Sequence, residues 1–157
     1  MLYLIRHAHA GDANADAERP LSDKGRGQVA RLAEMLRNNG GFHPSEVWHS
    51  PLLRARQTAR LLAEELGLGV PLREFPDLWP EDAPGLVAAR LDSADRSIAI
   101  VGHNPHLPSL GSLLVTGSVH PPIFVMRKAS VLALEPARGA GAGCWSASWQ
   151  LAADLSD

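Results

Sequence analysis

The chain has 157 residues, of which 45% are hydrophobic and 20% are charged, and its formal net charge is -2. This composition is typical of a folded globular protein and excludes a disordered chain, and the length predicts a single domain over residues 1–157. The slightly acidic balance and the absence of a long basic run argue against nucleic acid as a partner.

Cysteine content and hydropathy predict the compartment. Cys144 is the single cysteine, so the sequence predicts neither a disulfide framework nor a cysteine-rich zinc site. No apolar run approaches the ~20 residues of a membrane span, and the apolar residues at the N-terminus are too few for a signal peptide. We therefore expect a cytoplasmic protein with no membrane partner.

Short apolar runs and one alternating segment predict six strands. Apolar residues predominate in the first four, whereas the last two are predicted to form a half-solvated pair, because the final segment alternates apolar and polar residues. A loop rich in glycine over 139–143 predicts that the last two strands form a hairpin. The predicted strands cover residues 1–5, 47–48, 70–75, 98–101, 130–134 and 145–151.

Helix patterns separate the first five of these strands. Residues that favour helix starts precede three of the patterns: Ser22, Ser50 followed by Pro51, and Asn104 followed by Pro105. The predicted helices run from Ser22 to a stop at 38–41, from Ser50 to Gly67, over about 85–91, and from Asn104 to about Val115. The order predicts an α/β three-layer sandwich, with a mainly parallel central sheet, helices on both faces and an antiparallel edge.

Polar clusters follow three of the predicted strands. They are Arg6-His7, residues 50–54 and Gly102-His103-Asn104. Because ligands of open α/β sheets bind outside the carboxyl ends of the strands, we expect the three clusters to meet at one site. Two clusters also open helices, whose N-terminal N–H groups favour an anion.

The residue types in these clusters point to phosphoryl chemistry. A neutral imidazole such as that of His7 is a nucleophile, and the guanidinium groups of Arg6 and Arg54 can each donate two hydrogen bonds to an anionic oxygen. The chain has neither a P-loop motif nor G-x-G-x-x-G. We therefore expect side chains to hold the phosphate, without a metal or a cofactor.

Four ordered motifs resemble those of the histidine phosphatase, or phosphoglycerate-mutase-like, superfamily. The short length and the motif variants are most similar to the SixA-type phosphohistidine phosphatases within it. The motifs run from residue 4 to about 105 and cover Leu4–Ala10, Arg19–Gly25, Ser50–Ala59 and Val101–Pro105.

This resemblance implies roles for individual residues. His7 would be the nucleophile and become phosphorylated on a ring nitrogen, after which water would hydrolyse the phosphohistidine. Arg6 and Arg54 would bind the phosphoryl oxygens, and His103 would donate a hydrogen bond to one of them. Arg19 would have a secondary role in binding substrate, as would Asn104.

The proton donor for the leaving group is less clearly marked. Larger relatives use a glutamate after the third strand, and Glu81 lies in the corresponding region of this chain. Asp12 and Asp16, on the loop after His7, are alternatives. A phosphohistidine substrate relaxes the demand for an acid because its P–N bond is labile.

The sequence therefore predicts a metal-independent phosphohydrolase, with a phosphohistidine protein as substrate. The first alternative is a phosphatase of the same superfamily that acts on small phosphoesters. Two others are a module that binds a phosphorylated partner without turnover, and a metal hydrolase in which His7 and His9 form an H-x-H zinc pair. The two arginines near His7 argue against this last alternative because they would repel a cation.

Overall fold

A computed structural model of the protein describes residues 1–91, 96–137 and 143–154. The strands are β1 (Leu2–Arg6), β2 (Glu46–His49), β3 (Leu72–Glu74), β4 (Ile98–Gly102), β5 (Ser130–Pro136) and β6 (Trp145–Ala152). The helices are α1 (Asp23–Asn39), α2 (Leu53–Leu66), α3 (Pro84–Leu91) and α4 (His106–Thr116), with a 3-10 turn at Asp16–Glu18. Most of the predicted glycine-rich loop, residues 139–142, lies outside the described residues.

The six strands form one sheet in the order β3-β2-β4-β1-β5-β6. The pairs β2–β3, β2–β4 and β1–β4 are parallel, whereas β5 runs antiparallel to both β1 and β6. The predicted mainly parallel sheet with an antiparallel edge is therefore confirmed. This order puts β1, β2 and β4 side by side, so their carboxyl ends lie together.

Alternating side chains build a separate core on each face of the sheet. In β1, Tyr3 and Ile5 pack with buried residues of α1 and α2, whereas Leu2 and Leu4 pack with those of α3 and α4. All four side chains are almost completely buried. The period of two in a strand covered on both sides therefore produces the predicted three layers.

The predicted helix starts are correct at one position and wrong at two. The Ser22 side chain caps α1 by accepting a hydrogen bond from the Gly25 N–H. Ser50 is not an N-cap, because α2 starts at Leu53 with Leu52 as its cap. Asn104 is not one either, since α4 starts at His106. Both polar side chains make other hydrogen bonds instead, Ser50 with His103 and Asn104 with the Met126 carbonyl.

The start of α1 packs tightly against the chain beyond β1, and this contact gives a testable prediction. A Cβ at Gly25 would overlap the carbonyl oxygen of His9, whereas one at Gly27 would meet nothing within 4 Å. We expect Gly25→Ala to lower the free energy of unfolding by about 2–3 kcal/mol, because backbone must move to admit the methyl group. Gly27→Ala, the matched control on the same helix, should raise it by about 0.5–1 kcal/mol. Urea unfolding measures both, and equal effects of the two substitutions would contradict the packing.

Within the described residues, no helix is both long and apolar enough to cross a membrane.

Candidate active site

The carboxyl ends of β1, β2 and β4 bring two histidines together. The His7 N–H donates to the Gly102 carbonyl at 3.0 Å, and the Ser50 N–H donates to the Val101 carbonyl at 3.0 Å, so the chain beyond each strand stays next to its neighbours. The ring centroids of His7 and His103 are 5.0 Å apart. Residues almost a hundred positions apart in sequence thus face each other across one small site.

The surroundings of His7 determine its protonation. Its Nδ1 lies 2.7 Å from the Ala8 carbonyl oxygen. Because a carbonyl only accepts, Nδ1 carries the proton and Nε2 keeps its lone pair. Burial, together with the charges of Arg54 and Arg6, lowers the pKa of His7 from 6.5 to about 4, against the opposing effect of the Ala8 hydrogen bond. At neutral pH the ring is therefore an uncharged nucleophile.

His103 is held through Ser50. The Nε2 atom of His103 lies 2.7 Å from the Ser50 hydroxyl oxygen, which also accepts the Leu52 N–H at 3.2 Å. Burial, with smaller electrostatic contributions from the His7 ring and the Arg54 guanidinium, lowers the pKa of His103 to about 3. The Nδ1 atom of His103 has no hydrogen-bond partner among the described residues. When the Ser50 hydroxyl donates to Nε2, the buried Nδ1 carries the proton and has no acceptor for it among the described residues.

Arg54 supplies a buried positive charge beside both histidines, and it contacts an acidic residue. Its side chain is only 8% exposed. One terminal nitrogen donates to the Asp16 backbone carbonyl at 2.9 Å and the other to the Asp16 carboxylate at 3.2 Å. Arg19 donates to the other carboxylate oxygen at 3.3 Å and, through Nε, to the Gly11 carbonyl at 2.9 Å. The two arginines are thus linked through Asp16.

Two further predicted site residues, Arg6 and Asn104, meet at one backbone carbonyl. Arg6 Nη1 donates to the Met126 carbonyl at 2.9 Å, and the Asn104 side-chain amide donates to the same oxygen at 3.1 Å. The amide oxygen of Asn104 is buried and has no hydrogen-bond partner among the described residues. The segment before β5 therefore contacts the side chains of the last residue of β1 and of a residue that follows β4.

The N-terminal half of the chain matches a known protein family. Residues 2–79 match the model of the histidine phosphatase superfamily (branch 1). The chain belongs to the histidine phosphatase superfamily. The part that matches includes His7 and Arg54, whereas His103 lies beyond it and is brought to them by the fold.

Known proteins resemble this histidine phosphatase over nearly its whole length. The phosphohistidine phosphatase SixA of Escherichia coli is 29% identical over 152 residues, which are 94% of this chain and 92% of that protein. A solved structure of the protein histidine phosphatase SixA complexed with tungstate is 25% identical, has a TM-score of 0.86, and covers 97% of this chain and 96% of its own. An alpha-ribazole phosphatase from Shigella flexneri shares the fold, with a TM-score of 0.72 at 20% identity over 90% of this chain and 93% of its own.

The candidate proton donors differ in their positions. Glu81 is exposed in the connection between β3 and α3, where it makes no hydrogen bond or ion pair with any described residue. Slight burial raises the pKa of Asp16, but hydrogen bonds from Arg19 and Arg54 outweigh this and hold it below the ordinary value. Asp16 is therefore ionised at neutral pH, which does not suit a proton donor. Asp12 is exposed on the same loop.

Some contacts of the site have no signal in the sequence. The pattern after β2 predicts Ser50 as a helix cap, and its hydrogen bond to His103 joins residues 53 positions apart. Met126 contributes only a backbone oxygen, which no residue type reveals. Thr58 accepts the Ala8 N–H at 3.1 Å and donates to the Arg54 carbonyl at 2.7 Å, so it links the nucleophile's loop to α2. The sequence indicates a role for Thr58 only through its position in the motif 50–59.

Proposed function

We propose that this histidine phosphatase removes phosphoryl groups from phosphohistidine in proteins, through a phosphohistidine intermediate on His7. The observation that carries the proposal is the His7 imidazole, which is uncharged and has Nδ1 bound to the Ala8 carbonyl. Its free nitrogen, Nε2, lies in a site with the cations Arg6 and Arg54, whose charges act on the ring. A nucleophile beside fixed cations is what attack on an anionic phosphoryl group requires.

The reaction has two steps in this proposal. The lone pair of His7 Nε2 attacks phosphorus, the bond from phosphorus to the leaving nitrogen breaks, and that nitrogen takes up a proton from solvent water. Water then attacks the phosphoryl group, the P–Nε2 bond breaks, and inorganic phosphate leaves. Arg6, Arg54 and the Nδ1–H of His103 would stabilise the charge on the phosphoryl oxygens in both steps.

Two observations favour a protein substrate. The similarity to SixA from Escherichia coli extends over almost the whole of both chains. In addition, β3 ends at Glu74 and α3 begins at Pro84, so the connection between them is short and offers little material for a lid. An open site can admit a phosphorylated side chain that projects from another protein.

The contacts of His9 weigh against the zinc alternative. Its Nδ1 lies 2.7 Å from the Ser22 hydroxyl at the start of α1, whereas His7 faces His103. No group of three or more His, Cys, Asp or Glu side chains that could hold a metal ion occurs within residues 1–91, 96–137 and 143–154. Two histidines directed to different partners do not form the pair that such a hydrolase needs.

A substrate panel tests the proposal. Phosphate release would be measured in excess chelator from a protein phosphorylated on histidine, from phosphoramidate and from small phosphate esters. We expect kcat/KM for the phosphohistidine protein to exceed that for the esters by about 100-fold, since the P–N bond breaks without a strong acid. Preference for an ester would favour the small-molecule alternative, and binding without release would favour the binding module. Activity that disappears in chelator and returns with zinc would overturn the mechanism.

A further inference from the structure

The 3-10 turn at Asp16–Glu18 contributes a carboxylate to the site that the two-step mechanism does not use. Asp16 joins two arginines through separate oxygens, Oδ1 to Arg19 at 3.3 Å and Oδ2 to Arg54 at 3.2 Å. Its backbone carbonyl accepts a further hydrogen bond from Arg54 at 2.9 Å. One residue therefore contacts Arg54 at two points and ties it to a second cation.

Hydrogen bonds join the two ends of the loop that carries Asp16. The Gly11 N–H donates to the Pro20 carbonyl at 2.8 Å, next to a bridge between Ala10 and Leu21. The Arg19 side chain closes the loop a second time through its bond to the Gly11 carbonyl at 2.9 Å. The Arg19 N–H also donates to the Asp16 carbonyl at 3.3 Å. Asp16 is therefore held in place by backbone contacts, although its side chain is 64% exposed.

The contacts of Arg54 leave donors for a ligand. A guanidinium has five N–H groups in a fixed plane, and Asp16 accepts from one on each terminal nitrogen. Without these two hydrogen bonds, the long side chain of Arg54 would sample several rotamers, and ordering it on ligand binding would cost free energy. With one edge of the plane held by Asp16, the remaining N–H groups keep a fixed direction.

We propose that Asp16 is a positioning residue, whose carboxylate fixes the guanidinium groups of Arg54 and Arg19 in the orientation that binds the substrate's phosphoryl group. This inference rests on the proposed function. A positioning role for Asp16 is the opposite of what its charge alone predicts for an acidic residue near an anion site. By charge alone, a carboxylate next to a bound phosphate repels it, and removing the carboxylate would strengthen phosphate binding.

The substitution Asp16→Asn distinguishes orientation of the arginines by the carboxylate from repulsion between the carboxylate and the bound phosphate. The single oxygen of asparagine can accept from only one of the two arginines, and its NH2 group would face the other, which also has only donors. Glu18→Gln is the matched control, because Glu18 is exposed on the same turn and its side chain makes no hydrogen bond or ion pair with the described residues. Both substitutions remove one negative charge from the same loop.

The measurement is calorimetric binding of inorganic phosphate, together with kcat and KM for the phosphohistidine protein. We expect Asp16→Asn to weaken phosphate binding about tenfold and to raise KM, since hydrogen bonds to charged groups contribute that much. Glu18→Gln should change both values less than twofold. In the Arg54→Ala background, the effect of Asp16→Asn on phosphate binding should shrink to the part that acts through Arg19, which a merely structural role would not produce.

The outcomes distinguish this inference from the proposed function. Phosphate binding by Asp16→Asn that equals or exceeds that of the unsubstituted protein would overturn the positioning role, as would an undiminished effect in the Arg54→Ala background. In either case the unsubstituted protein would still release phosphate from phosphohistidine. Failure of the unsubstituted protein both to bind phosphate and to release it would overturn the proposed function itself, and the inference with it.

Discussion

His7→Ala is expected to lower kcat/KM for phosphate release by about 10⁴-fold or more, the scale observed when a catalytic nucleophile is removed. The reason is the loss of the Nε2 lone pair, since the Nδ1 atom of the same ring is bound to the Ala8 carbonyl. His43→Ala is the matched control. His43 is exposed, and its ring makes one hydrogen bond with the described residues, to the Gly40 carbonyl at 2.9 Å.

Trapping the intermediate makes this prediction specific. Incubation with a labelled phosphohistidine donor should yield a phosphoryl group on the enzyme that is labile in acid and stable in base. His43→Ala protein should carry it and His7→Ala protein should not. Label retained at an undiminished level after His7→Ala would place the nucleophile on another residue.

Arg54→Ala is expected to lower kcat/KM by about 10³-fold, which is typical for loss of a preorganised group that stabilises transition-state charge. The Arg54 side chain is 8% exposed, so its charge acts in a site with little water to screen it. The kcat/KM of Arg54→Lys should lie between the values for Arg54→Ala and for the unsubstituted protein. A lysine keeps the positive charge but lacks the planar pair of donors that contacts Asp16.

Arg56→Ala is the control for this second prediction. Arg56 is exposed two residues further along α2, and its side chain makes no hydrogen bond or ion pair with the described residues. Its substitution should leave kcat/KM within twofold. Equal losses from the two substitutions would show that the general positive charge of α2, rather than the position of Arg54, supports the reaction.

The strand and helix order could be predicted from the sequence because it depends on local patterns. Strands covered on both faces produce apolar runs, and Gly40 and Gly67 end helices in a left-handed conformation that glycine adopts without strain. Ser50 shows where such patterns fail. A serine before a proline favours a helix cap, but the hydrogen bond to His103 uses its hydroxyl instead.

The site could be predicted only as far as residue types and strand ends define it. Arg6 ends β1, and His7 and His103 follow β1 and β4, which the sheet places side by side, so their convergence follows from the strand order. Glu81 stays a prediction, because the connection between β3 and α3 leaves it exposed and without a contact to the described part of the site. The contacts of Asp16 with Arg54 and Arg19 depend on how the loop after β1 packs against α2. No periodic pattern in the sequence encodes that packing.

The sequence by itself determined the layers, the parallel sheet and the identity of the candidate nucleophile, because these follow from side-chain period and from the order of the motifs. Only the tertiary structure decided which nitrogen of His7 is free, why that ring is uncharged, and that Asp16 accepts hydrogen bonds from Arg54. Protonation depends on burial, and orientation depends on hydrogen bonds between residues far apart in the chain. Both arise only when the strand ends and the loops beyond them are packed together.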